Sequence, residues 1–353
     1  MAGILFDARW VRPGKTGVGN FVYNLLQALP NTQEKIGIIL PIGSPYAKSF
    51  ERFQIFFSPI DLTDHPWTEG YEQLFIPYLC YRHKFKNFVS FEGRAPICHP
   101  GIKTFSFVYD LTFLTIKGSH NKKYSSFLYT SLALTKKFST RVVTISNKIR
   151  LDLVNRANVP SEKIMLVYPA DSRLNQYASV PVTGLKKPFF LTVGITNRRK
   201  NLANLLNGFA LFNQKYHGYQ LAVTGNAEWI EEVCQKLSIP NVVNLGFVSE
   251  GELRFLYENT LGLIYPSLDE GFGIPLLDAL QFNCPVVCSD IPVFREVMED
   301  CAIYFDPLSS ESISSGLDAS LAHPKSVTIR RILDKFSWEK SAEKFVAEIS
   351  AIS

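Results

Sequence analysis

One stretch limits what this chain can fold into: residues 261–290, LGLIYPSLDEGFGIPLLDALQFNCPVVCSD. Its apolar start, residues 261–265, reads as a buried strand that Pro266-Ser267 ends. The tight segment Asp269-Glu270-Gly271-Phe272-Gly273 follows. Pro275 stands at about the first position of a helix, where its missing N–H costs nothing. Leu276, Leu277, Ala279 and Leu280 give that helix an apolar face, and residues 285–288 read as the next buried strand. Strand, glycine turn, helix and strand in this order form a βαβ unit.

The turn carries chemistry. Gly271 and Gly273 allow the backbone to approach a ligand. Free amides at the helix start, with the helix dipole, favour an anion such as a diphosphate. Glu270 and Asp278 flank this nest. Carboxylates repel phosphate but accept hydrogen bonds from hydroxyls of a sugar or ribose, so the set describes a nucleotide sugar. A capped helix with solvent-facing carboxylates is the alternative that the turn alone leaves open.

A length of 353 residues suggests two domains, and 46% hydrophobic content supports two cores. No apolar run reaches the ~18 residues of a membrane span. The start MAGILFDARW has no basic leader, and six scattered cysteines lack C-x-x-C pairs, so reduced thiols in a cytoplasm are expected. Charge is uneven. Residues 1–170 hold 21 Lys and Arg against 11 Asp and Glu, and residues 171–353 hold 16 against 21. The basic first half calls for an anionic partner or surface.

In the first half, residues 3–8 read as a strand. A glycine loop with Gly14, Gly17 and Gly19 follows, then a helix built on Phe21, Val22, Leu25, Leu26 and Leu29. Gly14-Lys15-Thr16 is not a P-loop end, because Arg9 stands where the first glycine is required. Gly17-x-Gly19 is not a dinucleotide fingerprint, because Val22 takes the third glycine position and no acid follows about 20 residues on. Strands are expected at 36–40, 88–91, 104–108 and 141–145, with Ser146 capping the next helix. Between 117 and 150 stand Lys117, Lys122, Lys123, Lys136, Lys137, Arg141, Lys148 and Arg150 without an acid. They form either a solvated face or a membrane-surface patch. No basic-aromatic nucleic-acid module is recognisable.

In the second half, strands are expected at 189–193, 221–224, 242–245 and 302–305. Gly194-Ile195-Thr196-Asn197-Arg198-Arg199-Lys200-Asn201 places cations on a strand-to-helix turn, which suits a diphosphate. Residues 171–187 lack a period and read as a linker between domains 1–170 and 188–335, with a final helix in 336–353 capped by Ser337.

The 261–290 stretch resembles the Glu-x7-Glu motif of family-4 glycosyltransferases, with Asp278 at the second position. Gly194 to Asn201 resembles their G-x-x-x-x-R-K-N loop, and the Gly17/Gly19 loop their T-G-[IV]-G. Glu72-Gln73, read as opening a helix, resembles their W-E-Q element, and Tyr109-Asp110 stands where they have His-Asp. Tyrosine cannot serve there as a cation at neutral pH.

The resemblance implies the α/β GT-B fold, two facing Rossmann-like doubly wound domains with a terminal helix crossing back to the first. It implies retaining transfer of a hexosyl group from a nucleotide diphosphate sugar to a saccharide in polysaccharide assembly; the residues do not name the donor, and UDP-glucose, then GDP-mannose, are expected only as the more frequent ones. Catalytic roles fall to Glu270, Lys200, Arg199, Asp110 and Tyr109. Donor contacts fall to Gly17, Gly19, Thr196, Phe247, Val248, Glu270, Gly271, Phe272, Gly273, Ile274, Leu277 and Asp278. Neither metal nor cofactor is expected. The charge asymmetry adds a lipid-linked acceptor at an anionic membrane surface, with the protein peripheral on its cytoplasmic face. A sugar-nucleotide epimerase of the same fold and a non-catalytic GT-B subunit stay open.

Overall fold

A computed structural model describes residues 3–12, 17–58, 68–92, 96, 99–115, 122–322 and 329–352. The chain divides into two units, Met1–Pro169 with Ser337–Ser353, and Ala170–Phe336. In the first unit the strands are β1 (Gly3–Asp7), β2 (Ile36–Pro41), β3 (Gln54–Ser58), β4 (Phe85–Ser90), β5 (Lys103–Val108), β6 (Arg141–Thr144) and β7 (Ile164–Leu166). They form one parallel sheet in the order β3-β2-β1-β4-β5-β6-β7.

The second unit has β8 (Phe189–Ile195), β9 (Gln220–Gly225), β10 (Val242–Gly246), β11 (Leu263–Tyr265), β12 (Val286–Ser289) and β13 (Ile303–Phe305), ordered β10-β9-β8-β11-β12-β13 and again parallel. Each sheet runs outward from its first strand in both directions, the doubly wound Rossmann-like plan. Two strands escape the sequence pattern. β3 is an edge strand that fully buries only Ser58, so QIFFS carries no inward alternation, and β7 is only three residues long.

Residues 171–187, expected as a linker, belong to the second unit. The Val180 N–H donates to the Gly251 carbonyl at 3.0 Å, and Arg254 donates to the Asn175 and Tyr177 carbonyls at 3.1 and 2.7 Å. The segment lacks a period because it is held as irregular chain by polar bonds. The W-E-Q-like helix is Thr68–His83, starting four residues before Glu72.

In the second unit the helix Leu202–Lys215 lays Leu205, Phe209 and Phe212 onto the sheet residues Phe190, Leu221 and Val223 and onto Ile313 and Leu317 of the helix Ser310–Leu321. The two helices approach so closely at Gly208 that a Cβ there would sit 2.7 Å from the Ile313 side chain.

The terminal helix, Trp338–Ile352, completes the first unit. Ser337 caps it, accepting from the Lys340 N–H at 3.4 Å. Phe345 meets Phe6 and Phe107 at centroid distances of 6.5 and 5.5 Å, and Trp338 meets Phe21 at 5.4 Å. Phe345 is fully buried, so Phe345→Ala is expected to cost about 3–5 kcal/mol. Lys344→Ala, with a side chain 63% exposed, should stay within about 0.5 kcal/mol. Urea denaturation of the two variants checks both values.

Candidate active site

β8 and β11 are neighbours, and the connections leave them toward opposite sides of the sheet. Ligands of doubly wound sheets bind at the carboxyl ends of such a strand pair. Here those ends carry the basic turn and the glycine turn.

The basic turn Arg198–Lys200 is a single 3-10 turn capped by Asn197, whose side chain accepts from the Arg199 N–H at 3.0 Å. Asn201 follows in the left-handed region at φ 60°. Its buried amide donates to the Pro266 carbonyl at 3.0 Å and the Pro307 carbonyl at 2.7 Å, which ties the loops after β8, β11 and β13 together. The Leu268 N–H donates to the Arg199 carbonyl at 2.9 Å. The basic turn is therefore strapped to the segment that carries Glu270.

Glu270 sits between two cations. Lys200 Nζ donates to its Oε1 at 2.6 Å and Arg199 Nη1 to its Oε2 at 2.9 Å. Ser267 Oγ donates to Oε1 at 2.8 Å, the Tyr265 hydroxyl approaches it at 3.4 Å, and Lys200 also reaches that hydroxyl at 2.9 Å. Glu270 is only 8% exposed. Burial pushes its carboxyl up, but the Lys200 and Arg199 charges and the bonds from Lys200 and Ser267 override that and hold it at about 2. Burial pulls Lys200 down, and the Glu270 charge more than reverses it, so Lys200 stays protonated. The cluster is fully ionised at neutral pH with a surplus of one positive charge.

Gly273, at φ 111°, is the N-cap of the helix Ile274–Gln281. A side chain there would meet Phe294 at 3.0 Å and Leu276 at 3.1 Å, so only glycine gives this turn room. Phe272 is buried against Phe336 at 5.3 Å. The helix does not show a single apolar face: Leu276, Leu277, Asp278, Ala279 and Leu280 are all buried. The strap that contains Ser172 covers the side that carries Asp278. Asp278 Oδ1 accepts from the Ser172 N–H at 2.6 Å and Oδ2 from its hydroxyl at 2.9 Å.

Of the other expected donor residues, Thr196 is exposed beside the basic turn and Ile274 opens the helix. Phe247, 78% exposed, and half-buried Val248 follow β10. Tyr265, Ser267, Asn201 and Ser172 were not among the expected site residues. Asn201 ends the basic motif and Tyr265 and Ser267 lie in the 261–290 stretch, whereas Ser172 has no local signal.

Tyr109, Asp110, Gly17 and Gly19 lie in the first unit. Gly17 and Gly19 form the first turn of the helix Gly17–Gln27; the loop residues Gly14, Lys15 and Thr16 fall outside the described residues. Asp110, expected as catalytic, caps a short helix: its Oδ1 accepts from the Thr112 N–H at 3.1 Å and the Thr112 hydroxyl at 2.8 Å. Tyr109 packs on Phe21 and Phe107 at 5.5 and 5.8 Å, and burial, with the Glu92 charge, pushes its phenol well above the usual range. It therefore stays neutral. Both line a cavity of about 260 Å³ with Trp10, Phe91, Glu92 and Phe113, at the ends of β1, β4 and β5. Among the described residues, no group of three or more His, Cys, Asp or Glu side chains converges as metal ligands would.

Residues 178–331 match the family described as "Glycosyl transferases group 1". This part of the chain is a group 1 glycosyltransferase domain. The chain is 32% identical over 200 residues to the O-antigen chain mannosyltransferase RfbU of Salmonella typhimurium strain LT2, covering 56% of this chain and 54% of that relative. To O-antigen chain mannosyltransferase B of Escherichia coli it is 27% identical over 252 residues, 65% of this chain and 66% of that protein. The match thus spans about half to two thirds of these relatives' length. The fold is that of the sucrose-phosphate synthase of Thermosynechococcus elongatus, with a TM-score of 0.77 at 15% identity over 100% of both chains. With such neighbours, the group 1 domain sits in a GT-B fold.

Removing one member of a mostly buried ion cluster leaves a partner uncompensated. Lys200→Met is expected to cost about 3 kcal/mol, and the double variant Lys200→Met/Glu270→Gln less than the single one. Thermal and urea denaturation of the parent, both single variants and the double variant measure this coupling.

Asp278 supplies a pH signature. Burial raises its carboxyl to about 7, against the opposing bonds from Ser172. Between about pH 4 and 7 the folded chain keeps a proton that the unfolded chain has lost, so this group's contribution to stability falls as pH rises through that window. The difference in stability between pH 5 and pH 8 should shrink in Asp278→Asn.

Proposed function

We propose that the protein is a retaining glycosyltransferase that moves a mannosyl group from GDP-mannose to a saccharide acceptor during O-antigen assembly. The observation that carries this reading is the Glu270–Lys200–Arg199 cluster beside the glycine-capped helix start in a group 1 glycosyltransferase domain. The expectation of UDP-glucose gives way to mannose, because the named relatives are mannosyltransferases of O-antigen chains. For the same reason O-antigen replaces exopolysaccharide as the product. These relatives also favour transfer over epimerisation or a non-catalytic role.

In this reading the donor diphosphate meets Lys200, Arg199 and the backbone of the Gly271–Gly273 turn at the helix start. These groups would stabilise the charge that builds on the leaving phosphate. The cations are already positioned by Glu270, so their geometry is set before the donor arrives. Glu270 then accepts hydrogen bonds from hydroxyls of the mannosyl ring. The ribose is proposed to lie at the Asp278–Ser172 pair, since each carboxylate oxygen has a lone pair left for a hydroxyl. Exposed Phe247 offers a ring face to the base. The neutral Tyr109 and the aromatic cavity around it would hold the acceptor sugar, with Glu92 accepting from its hydroxyls. The leaving phosphate takes the acceptor proton. No divalent metal is required, since Lys200 and Arg199 supply the positive charge.

The acceptor is proposed to be lipid-linked and held at an anionic membrane surface. Among the described residues, no helix is long and apolar enough to cross a membrane. The surplus of cations in residues 1–170 suits peripheral attachment.

A thermal-shift screen of GDP, UDP and ADP and their sugars tests the donor. GDP-mannose at 100 times its Kd should add about 2.7 kcal/mol of stability. A larger shift with UDP-glucose would overturn the mannosyl assignment. In a transfer assay Glu270→Ala should abolish product while GDP binding persists, and Lys200→Ala should lower turnover at least ~100-fold. Chelation with EDTA should leave the rate unchanged; strict metal dependence would refute the proposed charge stabilisation.

A further inference from the structure

In the helix Thr68–His83 the two turns from Leu74 to Tyr81, LFIPYLCY, carry no charged side chain on any face, although only one side is covered. Ile76, Leu79 and Cys80 are buried against Leu5, Ile39, Phe85 and Phe88. On the opposite side Leu74, Tyr78 and Tyr81 are 77%, 58% and 53% exposed. At 3.6 residues per turn these three fall within an arc of about 60°, a continuous stripe two turns long. A helix that is hydrophobic all round normally lies inside a protein or in lipid.

Charge says what covers the stripe. Arg82, Lys84 and Lys86 follow it directly and are exposed, and no Asp or Glu occurs from Gln73 to Phe91. Exposed Lys35 joins them, donating to the His83 carbonyl at 2.9 Å, while its neighbour Glu34 accepts from Ser350 on the terminal helix. A second copy fits poorly, since a two-fold contact would set these cations against themselves. Tyr78 beside Leu74, bordered by cations, matches the depth profile of a bilayer interface, with the ring in the acyl boundary and the hydroxyl and ammonium groups at the headgroups; Tyr81, whose hydroxyl donates to the Pro100 carbonyl at 2.5 Å, adds its ring face.

The basic run at 117–150 is less available than its sequence implies. Lys136 donates to the Ala157 carbonyl at 3.1 Å, and Lys148 pairs with Asp152 at 3.1 Å. Lys117 lies outside the described residues.

We propose that the exposed Leu74–Tyr78–Tyr81 stripe, with Lys35, Arg82, Lys84 and Lys86, is the face that docks on an anionic bilayer. This rests on the reading of the protein as acting at a membrane surface and specifies which surface of the first unit makes the contact.

The test is sedimentation of the full chain with vesicles of phosphatidylglycerol and phosphatidylcholine, or of phosphatidylcholine alone, at low and high salt. The parent should bind only the anionic vesicles, and less so at high salt. Leu74→Ser/Tyr78→Ser and Arg82→Glu/Lys86→Glu should each bind at least about tenfold more weakly, since each lost cation alone is worth about fivefold. Lys137→Glu, on the other helix, should bind like the parent. All these positions are exposed, and an unchanged GDP-mannose thermal shift in each variant would confirm an intact donor unit. Parental vesicle binding by Leu74→Ser/Tyr78→Ser would overturn the docking face while leaving membrane attachment standing. A parent that ignores both vesicle types would refute membrane attachment itself. A parent that dimerises in analytical ultracentrifugation, with the dimer lost in Leu74→Ser/Tyr78→Ser, would assign the stripe to a second copy and overturn the proposal.

Discussion

The site hangs on one carboxylate held between two cations. Lysine and arginine on adjacent positions of a tight turn repel each other, and both lose hydration in a partly buried cleft. Glu270 offsets both costs by accepting from Lys200 at 2.6 Å and Arg199 at 2.9 Å. Placing it there requires the loops after β8 and β11 to be fixed against each other. The Asn201 amide, bonded to two carbonyls, and the Leu268–Arg199 backbone bond do this. The sheet order makes those two loops neighbours, so topology, loop clamp and ion cluster form one causal chain.

That cluster has an arithmetic consequence for ligand recognition. One carboxylate against two cations leaves a single positive charge in a desolvated setting. An arriving diphosphate would find donors already aimed, with less reorganisation than free lysine and arginine side chains demand. The same arrangement ties the stability of the unit to the chemistry of its cleft, because each charge depends on the others being present.

Much of this was legible in the sequence because it is local. Period, glycine spacing and Pro275 marked the 261–290 βαβ unit, and Arg199, Lys200 and Glu270 declared themselves by residue type on turns. What the sequence concealed is set by contacts distant along the chain. Ser172 meets Asp278 across 106 positions, and Asn201 meets Pro307 across the same separation. No periodicity encodes such pairs. For the same reason residues 171–187 read as a linker although polar bonds hold them to the second unit. The edge strand β3 was missed because it lacks the inward alternation that burial would impose.

The first unit is written in two pieces of chain, with the whole of the second unit between them. Phe6 and Phe107 wait for Phe345, and Phe21 for Trp338. The aromatic core of the first unit therefore depends on residues that follow the whole of the second unit in the chain, while the second unit is one continuous stretch. A cut just before Trp338 would thus leave the second unit's residues untouched and open the aromatic core of the unit whose strands all lie before residue 170.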